Sequence, residues 1–297
     1  MANGNSDDID ARFLHTRRRH DHDRYQRSLL LPSSSEIQLT SLSPSRGTSP
    51  SPSDSSSLSP SPYSPHQPKS LSGIALRAFC LGTALATGVI SSLLILLTTS
   101  SPLWRLPFFL AALSTFHFLE FWTTAAYNTP QADVKSFLLT ANWPAYAVAH
   151  AAAFTECLLA NVLFPNRAWA PLHSGPLLLF LGLVATAVGQ AVRSAAMVRA
   201  GQSFNHVVQK KKEREHVLVT SGIYAAFRHP SYFGFFWWAL GTQVVMGNVV
   251  CFCGYAAMLW TFFSRRIRAE EEFLVDFFGE DYVDYRKRVG TRIPFIP

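Results

Sequence analysis

A polar triplet, Arg228-His229-Pro230, stands directly before one of the most apolar and aromatic runs of the chain, residues 231–246. The residue before a proline is driven out of helical geometry, so the triplet predicts a helix that starts at Pro230 with His229 at its N-terminus. The positive end of the helix dipole disfavours a cation there, which suits a neutral imidazole that exchanges a hydrogen bond. Arg228 suits an anion contact or a lipid-headgroup anchor, and a purely structural histidine fits the same pattern.

A second polar stretch, residues 264–297, carries paired carboxylates. On a helix, one face collects two glutamates together with apolar side chains: Ile267, Glu270, Glu271, Leu274 and Phe278. Buried carboxylates are costly unless they are paired, and Arg266 lies one turn before Glu270, within reach of it. The pattern indicates either a site that places negative charge beside a buried cation or a juxtamembrane helix with ordinary ion pairs.

Membrane helices are the elements that must position these groups. The chain has 297 residues, of which 48% are hydrophobic and 15% charged, but the composition changes sharply near Leu71. Residues 1–72 are polar and rich in Ser and Pro, and cannot bury enough apolar surface to offset their conformational entropy. We therefore expect a disordered cytosolic tail over 1–72 and a multi-spanning membrane domain over 73–297.

The apolar sequence divides into about six segments long enough to cross a bilayer. These segments are 78–104, 106–127, 136–164, 176–192, 231–246 and 249–263, the last two separated by the turn signal Gly247-Asn248. Lys and Arg concentrate in the tail, the 199–228 loop and the C-terminal stretch, which places these parts and both termini in the cytosol. The predicted fold is an all-α integral membrane protein whose last two transmembrane helices form a tight hairpin.

Competing chemistries find little support in the sequence. It contains no GxGxxG, P-loop, HExxH or GxSxG motif, and no aromatic-plus-basic nucleic-acid motif. His117 and Glu120 share a helix face and suit a metal pair, but a polar helix–helix contact is the simpler interpretation, and we predict no metal. Polar groups inside a span are functional suspects by default, which adds His150, Glu156 and Arg193 to the candidates.

Taken together, ordered motifs over residues 72–297 resemble the eukaryotic isoprenylcysteine carboxyl methyltransferases. The motifs are "FNHVVQ", "HVLVTSGIY", "RHPSYFGFFWWALGTQ", Arg266-x-x-x-Glu270-Glu271, "FFGEDYVDYRKRV" and the terminal "IPFI". The resemblance implies S-adenosyl-L-methionine as methyl donor and a cytosolic cofactor-binding region. It also implies an endoplasmic reticulum membrane protein that methylates the α-carboxylate of a C-terminal S-prenylated cysteine in CaaX-processed proteins such as small GTPases.

The same resemblance assigns individual residues. Cofactor contacts fall on Gln209, His216, Val217, Leu218, Val219, Tyr224, His229, Pro230, Ser231, Tyr232 and Glu270. Arg266 corresponds to a substrate-side arginine, and Glu271 completes the paired carboxylates. Glu272 follows directly, so the pair of carboxylates could also be placed one residue later. The spacing to "FFG" and the helix face described above both select Glu270 and Glu271.

The implied reaction agrees with the residues present. A carboxylate is already ionised at neutral pH, so a direct SN2 displacement on a sulfonium methyl needs alignment more than a general base, and a site poor in water favours it. Arg266 or Arg193 can hold the substrate carboxylate, and membrane helices provide an apolar compartment for the prenyl chain. The alternatives are a membrane phospholipid amine N-methyltransferase and a non-enzymatic lipid-binding protein, although the latter leaves the Arg-His-Pro and Glu-Glu groups unexplained.

Overall fold

The part of the chain that the structure describes is built from helices joined by loops and turns. The structure is a computed structural model and describes residues 60–164, 175–209, 211–212 and 216–297. Most of the predicted tail, residues 1–59, lies outside the described residues. The described ranges contain α-helices and short 3₁₀ turns but no β-strand, which confirms the all-α class.

Numbered in chain order, the α-helices of the described residues are α1 (Leu71–Thr98), α2 (Arg105–Tyr127), α3 (Leu138–Ala141), α4 (Ala145–Leu163), α5 (Gly175–Ala200), α6 (Pro230–Met246), α7 (Val250–Phe278) and α8 (Glu280–Arg288). Pro230 is the first residue of α6 and His229 its N-cap, as the Arg-His-Pro triplet predicts.

Three of these helices are long and apolar enough to cross a membrane: Leu71–Thr98, Ala145–Leu163, and the third continued through a 3₁₀ turn as Gly175–Ser203. On α1, large apolar side chains face outward, with Phe79 73% and Leu97 82% exposed. Such a surface is unfavourable in water and typical of a helix that faces lipid. The chain is therefore a membrane protein.

Several helix ends differ from the predicted segment ends. Helix α1 begins at Leu71, where the Ser70 hydroxyl accepts a hydrogen bond from the Gly73 N–H, and it stops at Thr98 instead of continuing to Trp104. The segment predicted over 136–164 is broken, and its main helix starts only after Pro144, because a proline disfavours helical geometry in the residue before it. Helix α5 continues beyond Val192 to Ala200.

Helix α7 is one continuous helix of 29 residues, where the sequence predicts an apolar helix and a separate amphipathic one. Its length is about 43 Å, which exceeds the ~30 Å hydrocarbon core of a bilayer. No glycine or proline lies between Gly254 and Gly279, so nothing interrupts the helix where its sequence turns polar. The paired glutamates are thus held rigidly by the same helix as the preceding apolar run.

Close packing of α5 against α6 fixes the position of the first turn of α6. A Cβ atom added to Gly189 would lie 2.4 Å from the Trp238 nitrogen, and one added to Gly234 would lie 2.6 Å from the Arg193 nitrogen. Side chains at these positions would force the helices apart, since small residues allow such close backbone approach. The contact brings Arg193 of α5 beside the N-terminus of α6.

The chain reverses between α6 and α7 at Gly247, whose φ of 78° lies in the left-handed region that favours glycine. The neighbouring Asn248 amide donates to Gln243 Oε1 and to the Ala153 carbonyl, each at 2.9 Å. These bonds tie the turn to α4 and orient α6 and α7 side by side.

Candidate active site

A cleft opens where residues 200–209 and 216–219, the start of α6, the C-terminal half of α7 and α8 meet, with an empty volume of about 900 Å³ that includes open solvent. Every residue that the resemblance assigns to the cofactor lines it. These are Gln209, His216, Val217, Leu218, Val219, Tyr224, His229, Pro230, Ser231, Tyr232 and Glu270. The other three predicted site residues, Arg193, Arg266 and Glu271, are not among the described lining residues and lie behind the cleft wall.

Glu271 is at the centre of a buried cluster behind the cleft. Its Oε1 accepts hydrogen bonds from Arg228 Nε at 2.6 Å and from His229 Nε2 at 3.1 Å. A carboxylate only accepts, so His229 carries a proton on Nε2. Burial of Glu271 opposes its ionisation, but the His229 hydrogen bond and the Arg228 charge outweigh burial, so the pKa of Glu271 lies below its ordinary value.

Arg228 uses its remaining nitrogens to hold the end of the chain. Nη1 donates to the carbonyls of Arg286 and Val289 at 3.1 and 2.8 Å, and Nη2 donates to the Pro297 carbonyl at 2.6 Å. The guanidinium therefore links α7, α8 and the C-terminal residues around Glu271. Of the two expected roles of Arg228, the structure shows the anion contact, and the anion is the Glu271 carboxylate of the protein itself.

Tyr232 connects Glu270 to Arg266. Its hydroxyl donates to Glu270 Oε2 and accepts from Arg266 Nε at 2.8 Å, while Arg266 Nη2 donates to the His206 carbonyl at 2.5 Å. The sequence suggests a direct contact between Arg266 and Glu270. The structure instead places the Tyr232 hydroxyl between them, because the first turn of α6 lies against this face of α7.

Arg193 is fully engaged in a buried network with α2 and α6. Its Nε and Nη2 donate to the two carboxylate oxygens of Glu120, the latter at 2.6 Å. Nη1 donates to the Ser231 hydroxyl at 2.9 Å and to the Ser231 carbonyl at 3.1 Å. All three nitrogens thus have partners, in the bidentate geometry that arginine and carboxylate favour.

His206 and Glu120 belong to this site although the sequence assigns neither of them a role in it. His206 Nδ1 lies 3.7 Å from Glu120 Oε2, and Nε2 lies 3.3 Å from the Thr124 hydroxyl. Burial lowers the pKa of His206 more than the Glu120 charge raises it. Two features of the sequence point to these residues: His206 belongs to the "FNHVVQ" motif, and a charge inside a span, such as that of Glu120, needs a partner. Neither feature identifies Arg193 as the partner of Glu120.

The remaining intramembrane candidates lie away from the cleft lining. Glu156 accepts hydrogen bonds from the backbone N–H groups of Val249, Val250 and Cys251 at 2.6–2.7 Å. His117 packs against His150, with ring centroids 6.3 Å apart. Within the described ranges, no three His, Cys, Asp or Glu side chains come together to hold a metal ion.

Known proteins resemble this chain over most of its length. The model of the isoprenylcysteine carboxyl methyltransferase (ICMT) family matches residues 180–276. Protein-S-isoprenylcysteine O-methyltransferase of Saccharomyces cerevisiae is 46% identical over 189 residues, which are 63% of this chain and 79% of the yeast protein. The Homo sapiens protein of the same name is 42% identical over 224 residues, which are 75% of each chain.

The fold is also similar to that of a solved structure. The eukaryotic intramembrane Ras methyltransferase ICMT, solved without a monobody, matches with a TM-score of 0.68 at 37% identity. The match covers 75% of this chain and 77% of the other. With this fold, and with relatives of 42–46% identity that match most of their own length, the chain belongs to the isoprenylcysteine carboxyl methyltransferase family.

Proposed function

We propose that this membrane methyltransferase transfers the methyl group of S-adenosyl-L-methionine to the α-carboxylate of a C-terminal S-prenylated cysteine in CaaX-processed proteins. One observation carries the proposal in this chain. A cleft lined by loop residues adjoins, through Tyr232, a half-buried arginine, Arg266, at the place where the apolar run of α7 ends and α6 begins. A water-soluble donor and a lipid-modified acceptor need such a boundary between polar and apolar surroundings.

The lining residues fit the proposed methyl donor chemically. S-adenosylmethionine combines a planar base, ribose hydroxyls and a positively charged sulfonium. The cleft offers aromatic side chains from α7 for the base, including Phe273 and Phe277, and the Glu270 carboxylate for hydroxyl or cationic groups. Gln209 adds an amide that both donates and accepts.

When bound, the donor supplies a methyl group on a sulfonium, which the substrate carboxylate displaces directly to give a methyl ester and a neutral thioether. The chain therefore needs no general base, since the nucleophile is already ionised and no proton is released. Its residues have to hold the carboxylate, orient it and exclude water. This requirement matches a site made of hydrogen-bonded arginine and tyrosine instead of a nucleophile and base.

Arg266 is the better candidate of the two arginines for holding the substrate carboxylate. All nitrogens of Arg193 are used by Glu120 and Ser231, whereas Nη1 of Arg266 makes no hydrogen bond to a described residue. We therefore assign Arg266 to the substrate. Arg193 has the separate role of fixing Ser231, and with it the first turn of α6.

Glu271 acts through its neighbours in this proposal. From behind the cleft wall it holds His229 and Arg228, which both line the cleft, and this positions the backbone of the lining residues that follow. Glu270, one residue earlier on α7, is the carboxylate that reaches the cleft.

We propose a topology of six spans, formed by α1, α2, α4, α5, α6 and α7, with α6 and α7 as a hairpin. The Lys and Arg distribution then places both termini and the cleft in the cytosol. Residues 1–72 remain a proposed disordered tail and 73–297 the methyltransferase domain. The endoplasmic reticulum membrane is the proposed location, and prenylated CaaX proteins such as small GTPases are the proposed partners.

An acceptor-choice assay tests the proposed function. Membranes that contain the chain are incubated with labelled S-adenosylmethionine and either N-acetyl-S-farnesyl-cysteine or phosphatidylethanolamine. We expect a base-labile methyl ester on the farnesylcysteine and no methylation of the phospholipid amine. Label on the amine with no ester on the farnesylcysteine would reject the proposal.

A further inference from the structure

Tyr282 of α8 is a buried tyrosine in the cleft wall whose hydroxyl has no partner among the described residues. The side chain is 1% exposed and lines the cleft. Its hydroxyl makes no hydrogen bond to any described residue. Buried hydroxyl groups are nearly always hydrogen-bonded, and leaving one unpaired is costly, so this hydroxyl calls for an explanation.

The polar groups around Tyr282 are already occupied. The guanidinium of Arg228 is used by Glu271 and by three backbone carbonyls. Burial, and then the negative charge of Glu271, raise the pKa of Tyr282. The phenol therefore keeps its proton and has a hydrogen bond to donate.

The neighbouring Tyr285 shows that the same surroundings can satisfy a tyrosine. The two rings lie on one face of α8 with centroids 6.0 Å apart, and both line the cleft. The Tyr285 hydroxyl donates to the Tyr224 carbonyl at 2.7 Å and also lies 3.4 Å from the Phe227 carbonyl. Within the part of the chain that the structure describes, the Tyr285 hydroxyl is therefore paired internally, whereas the Tyr282 hydroxyl, three residues earlier, is not.

The surroundings also indicate which kind of acceptor suits Tyr282. The negative charge of Glu271 acts on it more strongly than the positive charge of Arg228, and the negative charge of Glu270 adds to that of Glu271, so an anionic acceptor is disfavoured there. Aromatic residues Phe277 and Phe278 precede it across Gly279 and line the same cleft. A neutral acceptor attached to a flat, apolar group fits this place, as the oxygens and ring nitrogens of a nucleoside do.

We propose that the Tyr282 hydroxyl donates a hydrogen bond to the nucleoside part of bound S-adenosylmethionine, which makes Tyr282 a further cofactor-binding residue. The proposal rests on the proposed function, because it presupposes this methyl donor. Tyr282 takes no part in methyl transfer itself, and its contribution is to cofactor affinity.

The test compares Tyr282→Phe with the unmodified full-length chain in lipid nanodiscs. Calorimetry measures the affinity for S-adenosylhomocysteine and for 5′-methylthioadenosine, which lacks the amino-acid part. We expect both dissociation constants to rise about 3- to 12-fold, the loss of one neutral hydrogen bond. The ligand-free melting temperature should stay equal or increase, because the substitution removes an unpaired buried polar group.

Tyr285→Phe is the matched control, since it removes a hydroxyl that is bonded within the protein. We expect it to lower the melting temperature of the ligand-free chain, the opposite of the result for Tyr282→Phe. The contrast separates a hydroxyl that serves the fold from one that serves a ligand.

Unchanged affinity of Tyr282→Phe for both ligands would overturn the proposal, and so would a fall in its ligand-free melting temperature. Weaker binding of S-adenosylhomocysteine with unchanged binding of methylthioadenosine would overturn the assignment to the nucleoside. If the unmodified chain bound neither ligand, the proposed cofactor would fail as well, so the two failures are distinguishable.

Discussion

Both ends of the helical bundle hold charged side chains, but these side chains have different kinds of partner. At the end that holds the start of α7, Glu156 accepts three backbone N–H groups, and Arg105 donates to the Val245 carbonyl at 2.9 Å. At the cleft end, Arg193 pairs with Glu120 and Glu271 pairs with Arg228 and His229. The carboxylate at the first end meets backbone N–H groups, whereas the carboxylates Glu120 and Glu271 at the cleft end meet arginine and histidine side chains.

This difference indicates what each end does. A carboxylate that accepts backbone N–H groups at the start of a helix satisfies groups that would otherwise lack a partner, and its role is complete in the folded protein. At the cleft end, Arg266 is connected to Glu270 through Tyr232, and its Nη1 makes no hydrogen bond to a described residue, which leaves room for one more partner. The comparison therefore assigns stability to the first end and chemistry to the cleft end.

The largest expected effect comes from breaking the Glu120–Arg193 pair. Arg193→Met leaves a buried carboxylate uncompensated, and we expect a loss of about 3–5 kcal/mol in the free energy of unfolding. The double variant Glu120→Leu/Arg193→Met should recover most of this stability, since replacing both charges with apolar groups is often neutral.

Denaturation in detergent measures stability, and the methylation assay measures activity per folded molecule. If the pair also fixes Ser231 at the cleft, the double variant should fold but remain poorly active. Full activity in the stable double variant would show that this pair serves stability alone. It would then contradict the assignment of chemistry to the charged pairs at the cleft end.

A smaller effect is expected at the other end. Glu156→Gln removes the charge that caps α7 and should cost about 1–2 kcal/mol in unfolding free energy, in the range of other lost helix caps. The KM values for donor and acceptor should not change, because no described residue that lines the cleft belongs to α4. A selective rise in either KM would show that the two ends do not divide their roles as described.

The smallest effect concerns pH. The pKa of Glu271 is lowered in the folded chain, so its ionisation stabilises the fold above the ordinary glutamate pKa, and this contribution is lost as pH falls through the lowered value. Glu271→Gln should therefore flatten the fall in melting temperature on the acid side, below about pH 4.5. If the melting temperature of Glu271→Gln fell as steeply at acid pH as that of the unmodified chain, Glu271 would not contribute to this pH dependence.

The sequence predicts local features of the site better than contacts between distant segments. Pro230 marks the start of α6 because a proline restricts its own geometry and that of its neighbour. The glutamate register follows from helix periodicity, and the structure accordingly places Glu270 in the cleft wall and buries Glu271. Both predictions depend on residues within a few positions of each other.

Contacts between segments far apart in the chain were not predictable in this way. The Glu120–Arg193 pair joins residues of α2 and α5, and the sequence instead suggests His117 as the neighbour of Glu120. Likewise, the Tyr232 hydroxyl lies between Arg266 and Glu270 only because α6 packs against α7. Helix periodicity describes one helix at a time and holds no information on which helix faces it.

The most direct test of the central claim is a paired measurement on Arg266→Gln, with Arg268→Gln as control. Arg268 lies on the exposed side of α7 and donates to the Ser264 carbonyl of its own helix. We predict that Arg266→Gln lowers methyl-ester formation on farnesylcysteine by about 10- to 100-fold, as expected for a lost hydrogen bond to a charged group. Its affinity for S-adenosylhomocysteine should change far less, and Arg268→Gln should behave as the unmodified chain. Near-normal ester formation by Arg266→Gln, or a loss of cofactor affinity as large as the loss of activity, would contradict the account.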